Sequence, residues 1–318
     1  LKRVLVIGDV IKDVYTDCVF RKMCPDAPTV PAALVDRTSF RPGGAANVAL
    51  NIAQLAPGVH VDLIGVVDVD LKRTIGAISE QMVAMDWAVL GSPLEKNRVS
   101  VDGELRLRLD DQGKLNPWYG SHIALNLRDY LGYVTPDLIV LSEYAGGTVD
   151  DQSLDLLLEH RSRLLVDTKR TDLSVFAVGG QSTLLCKLNH EEWMNVVKTD
   201  STPEGHFKYL VVTEGRAGSV LRRMERLLAS QTGVTVARHI THTLRVSAVM
   251  AETVDVCGCG DTYLAGMVAS LLDNADPYTA MQFGAAAAAT VVTKPRVAVA
   301  DRALTLQILG RTHEDETL

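Results

Sequence analysis

From Pro117 onward, short apolar runs alternate with stretches of helical spacing, and that rhythm restricts the chain to a layered α/β fold. Strands are predicted at Leu138–Leu141, Arg163–Asp167, Thr183–Lys187 and Tyr209–Thr213. Helices are predicted at His122–Leu131, Asp150–Arg161, Asn189–Val197, Gly260–Leu272 and Pro277–Val292. Upstream, Lys2–Gly8 and Val59–Val67 read as further buried strands, and Ala45–Leu55 and Leu71–Met85 as helices. Strands this apolar bury both faces, as in a parallel sheet covered by helices on each side. Aromatic residues make up only 5% while Ala, Val and Leu dominate, which suits that arrangement better than an all-β sandwich. Asn97–Asp102 and Glu104–Asp110 alternate around Asp102-Gly103, a hairpin signal because Asp-Gly tolerates the positive φ of a tight turn. Segments near 14–40 and 95–111 do not fit a parallel layer, and are expected to form a small β lid on a single domain spanning 1–318.

In an open parallel sheet, ligands bind beyond the carboxyl ends of the strands, so chemistry is sought just after each apolar run. The strongest signal is Asp255-Val-Cys-Gly258-Cys259-Gly260-Asp261-Thr262, which opens an apolar helix. Glycines there let backbone N–H groups converge, and the helix start adds its positive end, a setting for phosphate or for charge developing in a transition state. Asp261 reaches the same point, and a carboxylate beside an anion site makes sense as acceptor of a proton from an attacking hydroxyl. On spacing alone it is equally a helix N-terminal carboxylate, with the glycines serving a tight turn. A Walker A loop is absent, and Tyr263 stands where a dinucleotide fingerprint needs its third glycine, which argues against a dinucleotide-binding oxidoreductase.

Four weaker signals have two readings each. Arg41-Pro-Gly43-Gly44-Ala-Ala-Asn47 opens a helix; the glycines permit close approach of a ligand and Asn47 suits sugar hydroxyls, or the segment is a turn with Asn47 in solvent. Asp9 and Asp13 suit vicinal hydroxyls, or are an N-cap and a surface acid. Asn189 and Glu192 share a helix face and suit hydrated Mg²⁺, or form a capping box. Thr213-Glu-Gly215-Arg-Ala-Gly218 ends a strand where a nucleotide can lie, or is an ordinary turn. His190 has no partner visible in the sequence and reads as surface.

In this order along the chain, the motifs resemble those of the ribokinase-like (PfkB) carbohydrate kinases over nearly the whole length. That resemblance implies a three-layer α/β/α fold with a mainly parallel central sheet. Pro25-Asp-Ala-Pro28-Thr-Val-Pro31, Arg41 to Ala49, Arg108-Leu-Asp110, Leu141-Ser-Glu-Tyr-Ala145 and Val166-Asp-Thr-Lys169 look like the kinase domain of bacterial D-glycero-D-manno-heptose 7-phosphate kinases, which act in ADP-heptose synthesis for lipopolysaccharide. It implies Asp261 as the base, with the N–H groups of Gly258, Cys259 and Gly260 stabilising the phosphoryl group in transfer from ATP. It implies Asp9, Asp13, Gly43, Gly44, Asn47 and Glu143 around the sugar, and Lys187, Asn189, Thr213, Gly215 and Gly218 around the nucleotide. Asn189 and Glu192 would order Mg²⁺ through water. A phosphosugar needs cations, for which Lys96, Arg106, Arg108 and Lys169 are candidates, each equally readable as a solvated charge. The chain departs from the heptose kinases at Gly146, where they carry lysine, at Thr168, at Leu188 and at Cys259, and Met224–Met250 matches poorly. The alternatives are a related kinase for another sugar or a nucleoside, or a catalytically weak regulator that binds sugar phosphate or nucleotide. Retention of Asp261 with both glycines argues against the regulator.

With 32 basic against 39 acidic residues, net −7, a broad nucleic-acid surface is not expected. No apolar run approaches the roughly 18 residues of a membrane span, and no signal-peptide pattern opens the sequence, although its first residue, Leu1, suggests a few residues upstream. Five scattered cysteines fit a reducing cytoplasm. A homodimer through the β lid is expected from the resemblance. So is a chain that performs the kinase step alone, since only a short polar tail follows Arg302–Leu309, leaving adenylyl transfer to a separate protein.

Overall fold

In the computed structural model of the chain, which describes residues 1–110, 116–177, 181–200, 203–231 and 234–315, strand β1 (Arg3–Gly8) divides the core in two. Val4 and Val6 enter one buried cluster, Leu5 and Ile7 the other, as the period of two along a strand requires. The same split recurs in β10 (Leu138–Ser142), where Val140 faces one side and Ile139 and Leu141 face the other. Helices α1 (Ala45–Leu55), α2 (Val69–Ile78), α6 (Cys259–Leu272) and α7 (Pro277–Val292) cover the first face. Helices α3 (Pro117–Tyr133), α4 (Asp151–Glu159) and α5 (His190–Thr199) cover the second. Helix α8 (Arg302–Asp315) follows and packs on α7.

The central sheet has nine strands. Beyond β1 on one side lie β4 (His60–Ile64) and β6 (Val83–Ala84). On the other lie β10, β11 (Leu164–Asp167), β12 (Thr183–Asn189) and β13 (Phe207–Thr213), all parallel. An antiparallel hairpin, β14 (Ser219–Gln231) and β15 (Val234–Val246), closes that edge. The chain leaves β1 outward to β4 and returns to β10 on the opposite side, so the order reverses between β1 and β10. Such a switch point opens a crevice at the carboxyl ends of the strands.

A second sheet of four strands runs β3 (Ala27–Gly44), β2 (Val10–Cys24), β8 (Leu94–Val101) and β9 (Glu104–Asp110). The hairpin at Asp102-Gly103 forms as expected, with φ of 50° and 84° at the two turn residues. Residue 111, at the end of the expected lid segment, lies outside the described residues. Two short parallel strands, β5 (Val66–Val67) and β7 (Val89–Leu90), link the sheets. The helix expected over Leu71–Met85 stops at Ile78, because Glu80 and Gln81 take positive φ and Val83–Ala84 joins the sheet beside β4. Among the described residues, no helix is long and apolar enough to cross a membrane.

Candidate active site

The carboxyl ends of β1 and of β10 to β13 converge on the N-terminal ends of α1 and α6. At their focus lies Asp261, buried in the first turn of α6. One carboxylate oxygen accepts from Asn47 Nδ2 at 3.0 Å and the other from the Tyr144 hydroxyl at 2.5 Å. Burial raises the Asp261 pKa above its ordinary value, the two hydrogen bonds oppose the rise, Asp167 adds to it and Lys187 opposes it. Gly258 turns the chain into the helix at φ 76°, the left-handed region that favours glycine. The loop ahead of it is pinned by Asp255, which accepts from the N–H groups of Cys257 and Arg296, each at 2.9 Å. Burial pushes the thiols of Cys257 and Cys259 up to about 11 and about 12, so neither brings negative charge to this turn.

Lys187, buried on β12, pairs with Asp167 of β11 at 2.6 Å. Its ammonium lies over the start of α6: a Cβ added at Gly260 would be 3.1 Å from Lys187 Nζ. From this point opens a cavity of about 870 Å³, with Lys187, Asn189, Thr213, Gly215 and Gly218 on its polar side and Ala288, Val292 and Met250 on its apolar side. On the opposite side of Asp261, the four-stranded sheet brings Asp13 and Arg98 together at 2.5 Å. Gly43 makes room for that pair, since a Cβ there would fall 2.0 Å from Asp13 Oδ2. Lys96 and Lys169 stand over the Tyr144 ring, 4.8 and 5.0 Å from its centroid. The arrangement places a buried carboxylate near a cation at a helix N-terminus, with a nucleotide-sized cavity beyond it.

Several expected contacts are engaged elsewhere. The carboxylate of Asp9 is taken up by the N–H groups of Tyr144, Gly146 and Thr148, at 2.6, 2.9 and 3.2 Å, so it shapes a loop and has little capacity left for a sugar hydroxyl. Asn47 is committed at both ends: its Oδ1 accepts from Asn51 while its Nδ2 serves Asp261 and, at 3.5 Å, the Gly258 carbonyl. Glu143 pairs with Arg170 at 2.8 Å and accepts from Thr168 Oγ1 at 2.8 Å, a buried structural cluster. The N–H of Cys259 donates to the Val256 carbonyl at 3.2 Å, and so does not face an anion. Arg108 and Arg106 spend their charge on Asp110 and Glu104 of their own strand. Of the two readings for Asn189 and Glu192, the capping box is formed, and Glu192 also pairs with Lys169. Among the described residues, no group of three or more His, Cys, Asp or Glu could hold a metal ion.

Four contributors escaped the sequence reading. Arg98 lies on the same strand face as the candidate Lys96, two residues on, and the period of two was the available signal. Asp167 faces Lys187 only because β11 and β12 are neighbours in register, which no local pattern reveals. Tyr144 holds Asp261 from a distant point in the chain, whereas Asn51 holds Asn47 from one turn along α1, where the spacing of four was the available signal.

Residues 183–302 match the family model described as pfkB family carbohydrate kinase. The chain is 30% identical over 329 residues to the bifunctional protein HldE of Shewanella sp. (strain W3-18-1), a match covering 98% of this chain and 64% of that protein. It is 30% identical over 310 residues to the protein of the same name from Coxiella burnetii (strain RSA 493 / Nine Mile phase I), covering 92% of this chain and 60% of that one. The chain thus spans somewhat under two thirds of these curated relatives. Among solved structures, ribokinase from Thermotoga maritima superposes with a TM-score of 0.66 at 16% identity, over 98% of this chain and 99% of that one. Phosphofructokinase-2 from Escherichia coli, solved with substrates and products, gives 0.68 at 17% identity, over 98% of each chain. The fold is ribokinase-like. Residues 183–302 thus resemble a PfkB carbohydrate kinase domain, carried on that ribokinase-like fold.

Proposed function

We propose that the protein transfers the γ-phosphoryl group of ATP to the anomeric hydroxyl of a sugar already phosphorylated at its far end, D-glycero-D-manno-heptose 7-phosphate, giving the 1,7-bisphosphate. The observation that carries the reading is Asp261, a buried carboxylate between a cation-capped helix N-terminus and a second polar pocket. ATP fits the 870 Å³ cavity, with adenine on the apolar wall of Ala288 and Val292 and its phosphates at Lys187 and the start of α6. The acceptor fits between Asp13 and the glycines at 43 and 44, with Lys96 and Lys169 facing its phosphate. Asp261 takes the hydroxyl proton as the oxygen attacks, and Lys187 with the helix end stabilises the charge on the phosphoryl group in flight. Asn189 and Glu192 are the residues that would hold the water of Mg²⁺, which would supply positive charge to offset that of the triphosphate. The name shared by the relatives from Shewanella and Coxiella supports heptose as the sugar.

A screen of ATP consumption over heptose 7-phosphate, fructose phosphates, ribose and adenosine tests this directly. Heptose 7-phosphate is expected to give the highest kcat/KM. Turnover of another acceptor in its absence would refute the heptose assignment while leaving the kinase intact.

The four-stranded sheet is proposed to serve as a lid and as a dimer interface. Leu105, Leu107 and Leu109 alternate along β9 and are exposed. Leu107 and Leu109 pair across the hairpin with Val99 and Asn97, on the face opposite Lys96 and Arg98. With exposed Phe20 of β2, which by the period of two lies on the same face of the sheet, this makes an apolar surface. Light scattering at micromolar concentration is expected to give a dimer mass, and Leu107→Glu a monomer. A monomeric unmodified chain would remove the interface.

A further inference from the structure

We propose that Tyr144 is a positioning residue of this site: its hydroxyl holds the Asp261 carboxylate in place, and its ring seats Lys96 and Lys169 where a second anionic group of the acceptor binds. The inference rests on the kinase reading and names the feature that selects a phosphorylated acceptor.

The loop that carries Tyr144 is over-determined. Asp9, at the end of β1, gathers the N–H groups of Tyr144, Gly146 and Thr148 around one carboxylate. Ala145 sits at φ 63°, a left-handed conformation uncommon for a residue with a Cβ. Gly146 has no space for a side chain: a Cβ there would fall 2.2 Å from Leu94 Cδ1 and 2.8 Å from Asp9 Oδ1. Such a loop has one arrangement, and it aims the Tyr144 hydroxyl at Asp261 Oδ1 at 2.5 Å. Asn47 holds the other carboxylate oxygen, so the base is gripped from both sides.

The ring of Tyr144 joins the two sheets. Lys96 reaches it from β8 of the four-stranded sheet, and Lys169 from the end of β11 in the central sheet. The ion pair with Glu192 holds Lys169, and cation–π contact with the ring keeps both ammonium groups in this half-buried pocket. An anion bridging them gains both charges at once, whereas a neutral sugar gains neither.

The charged and titratable groups facing Asp261 and Tyr144 come from every element packed around them. Asp13 comes from β2, its partner Arg98 and Lys96 from β8, Asp167 and Lys169 from β11 and the loop after it, Lys187 from β12, and Glu192, the partner of Lys169, from α5. The two groups that donate to Asp261, the Tyr144 hydroxyl and the Asn47 amide, carry no charge. Removal of the Tyr144 hydroxyl therefore changes the titration of the base while leaving the surrounding charges in place.

Two variants test the two halves. Carboxyl NMR of ¹³C-aspartate-labelled protein, with Asp261 assigned through Asp261→Asn, reads the base without any substrate. In Tyr144→Phe, the Asp261 midpoint is expected to rise by about one pH unit, since a hydrogen bond favouring the ionised form is lost. The acid limb of kcat/KM should move by the same amount. An unmoved midpoint overturns the hydroxyl's role. In Tyr144→Leu, the KM for whichever sugar phosphate the screen identifies should also rise roughly 3- to 10-fold, while the KM for the parent sugar without phosphate stays unchanged. No rise, or an equal rise for both sugars, overturns the ring's role. Failure of heptose 7-phosphate in the screen leaves the NMR result standing, so loss of the heptose reading and loss of this proposal are separate outcomes.

Discussion

Asp261→Asn is expected to lower kcat by about 10³- to 10⁴-fold while ATP still binds, because the substitution keeps the shape of the side chain and removes its capacity to take a proton. The fold gives this position no substitute. Asp13 is paired with Arg98, and Asp167 with Lys187. The same variant makes a second, independent prediction through stability. Burial raises the folded-state pKa of Asp261 above its ordinary 3.8. Between the unfolded and folded values the native state binds more protons than the unfolded chain, so stability from this group is present at low pH and lost as pH rises. Asparagine has no such term. The Tm difference between variant and parent should therefore shift in the variant's favour as pH is taken from about 4 to 8. A pH-independent difference would show that the carboxylate titrates at its ordinary value. Unchanged turnover would remove Asp261 as the base.

Lys187→Met should be nearly as damaging, for two separable reasons. The ammonium lies over the first turn of α6, and removing a group that stabilises developing charge in a dry site costs about 10²- to 10³-fold in kcat. It also leaves Asp167 buried without a partner, which destabilises a protein by about 3–5 kcal/mol. Adding Asp167→Asn to Lys187→Met removes the stranded charge. The double variant is expected to recover most of the melting temperature and none of the turnover. Recovery of both would show that Lys187 acts only as a structural counter-ion.

How far the sequence reaches is visible in these two residues. Asp261 is legible because its chemistry is local: glycines, a helix start and a carboxylate fall within a few residues, and hydrophobic periodicity marks the helix that follows. The strands from Leu138 to Thr213 are legible for the same reason, since each buries side chains on both faces and so carries an unbroken apolar run. Lys187 enters only through the family resemblance. Its function depends on Asp167, a partner across a sheet pairing. Polar side chains with two uses were the hardest to assign. Asp9, Asn47 and Glu143 all stand at strand or helix ends where a ligand contact and an internal hydrogen bond look alike in one dimension. In three dimensions their donors and acceptors are already matched within the chain.

By itself the sequence determined the layered α/β class, the parallel strands from Leu138 to Thr213, the hairpin at Asp102-Gly103 and the glycine turn before Asp261. These depend on periodicity and on backbone conformations that particular residues permit, and both are properties of short windows. Only the tertiary structure decided which charges meet. The reversal of strand order between β1 and β10, and the register between β11 and β12, bring Tyr144, Asp167 and Lys187 around Asp261. Hydrogen bonds and ion pairs act over a few ångströms, whereas these residues are separated along the chain by distances that only the closed sheet removes.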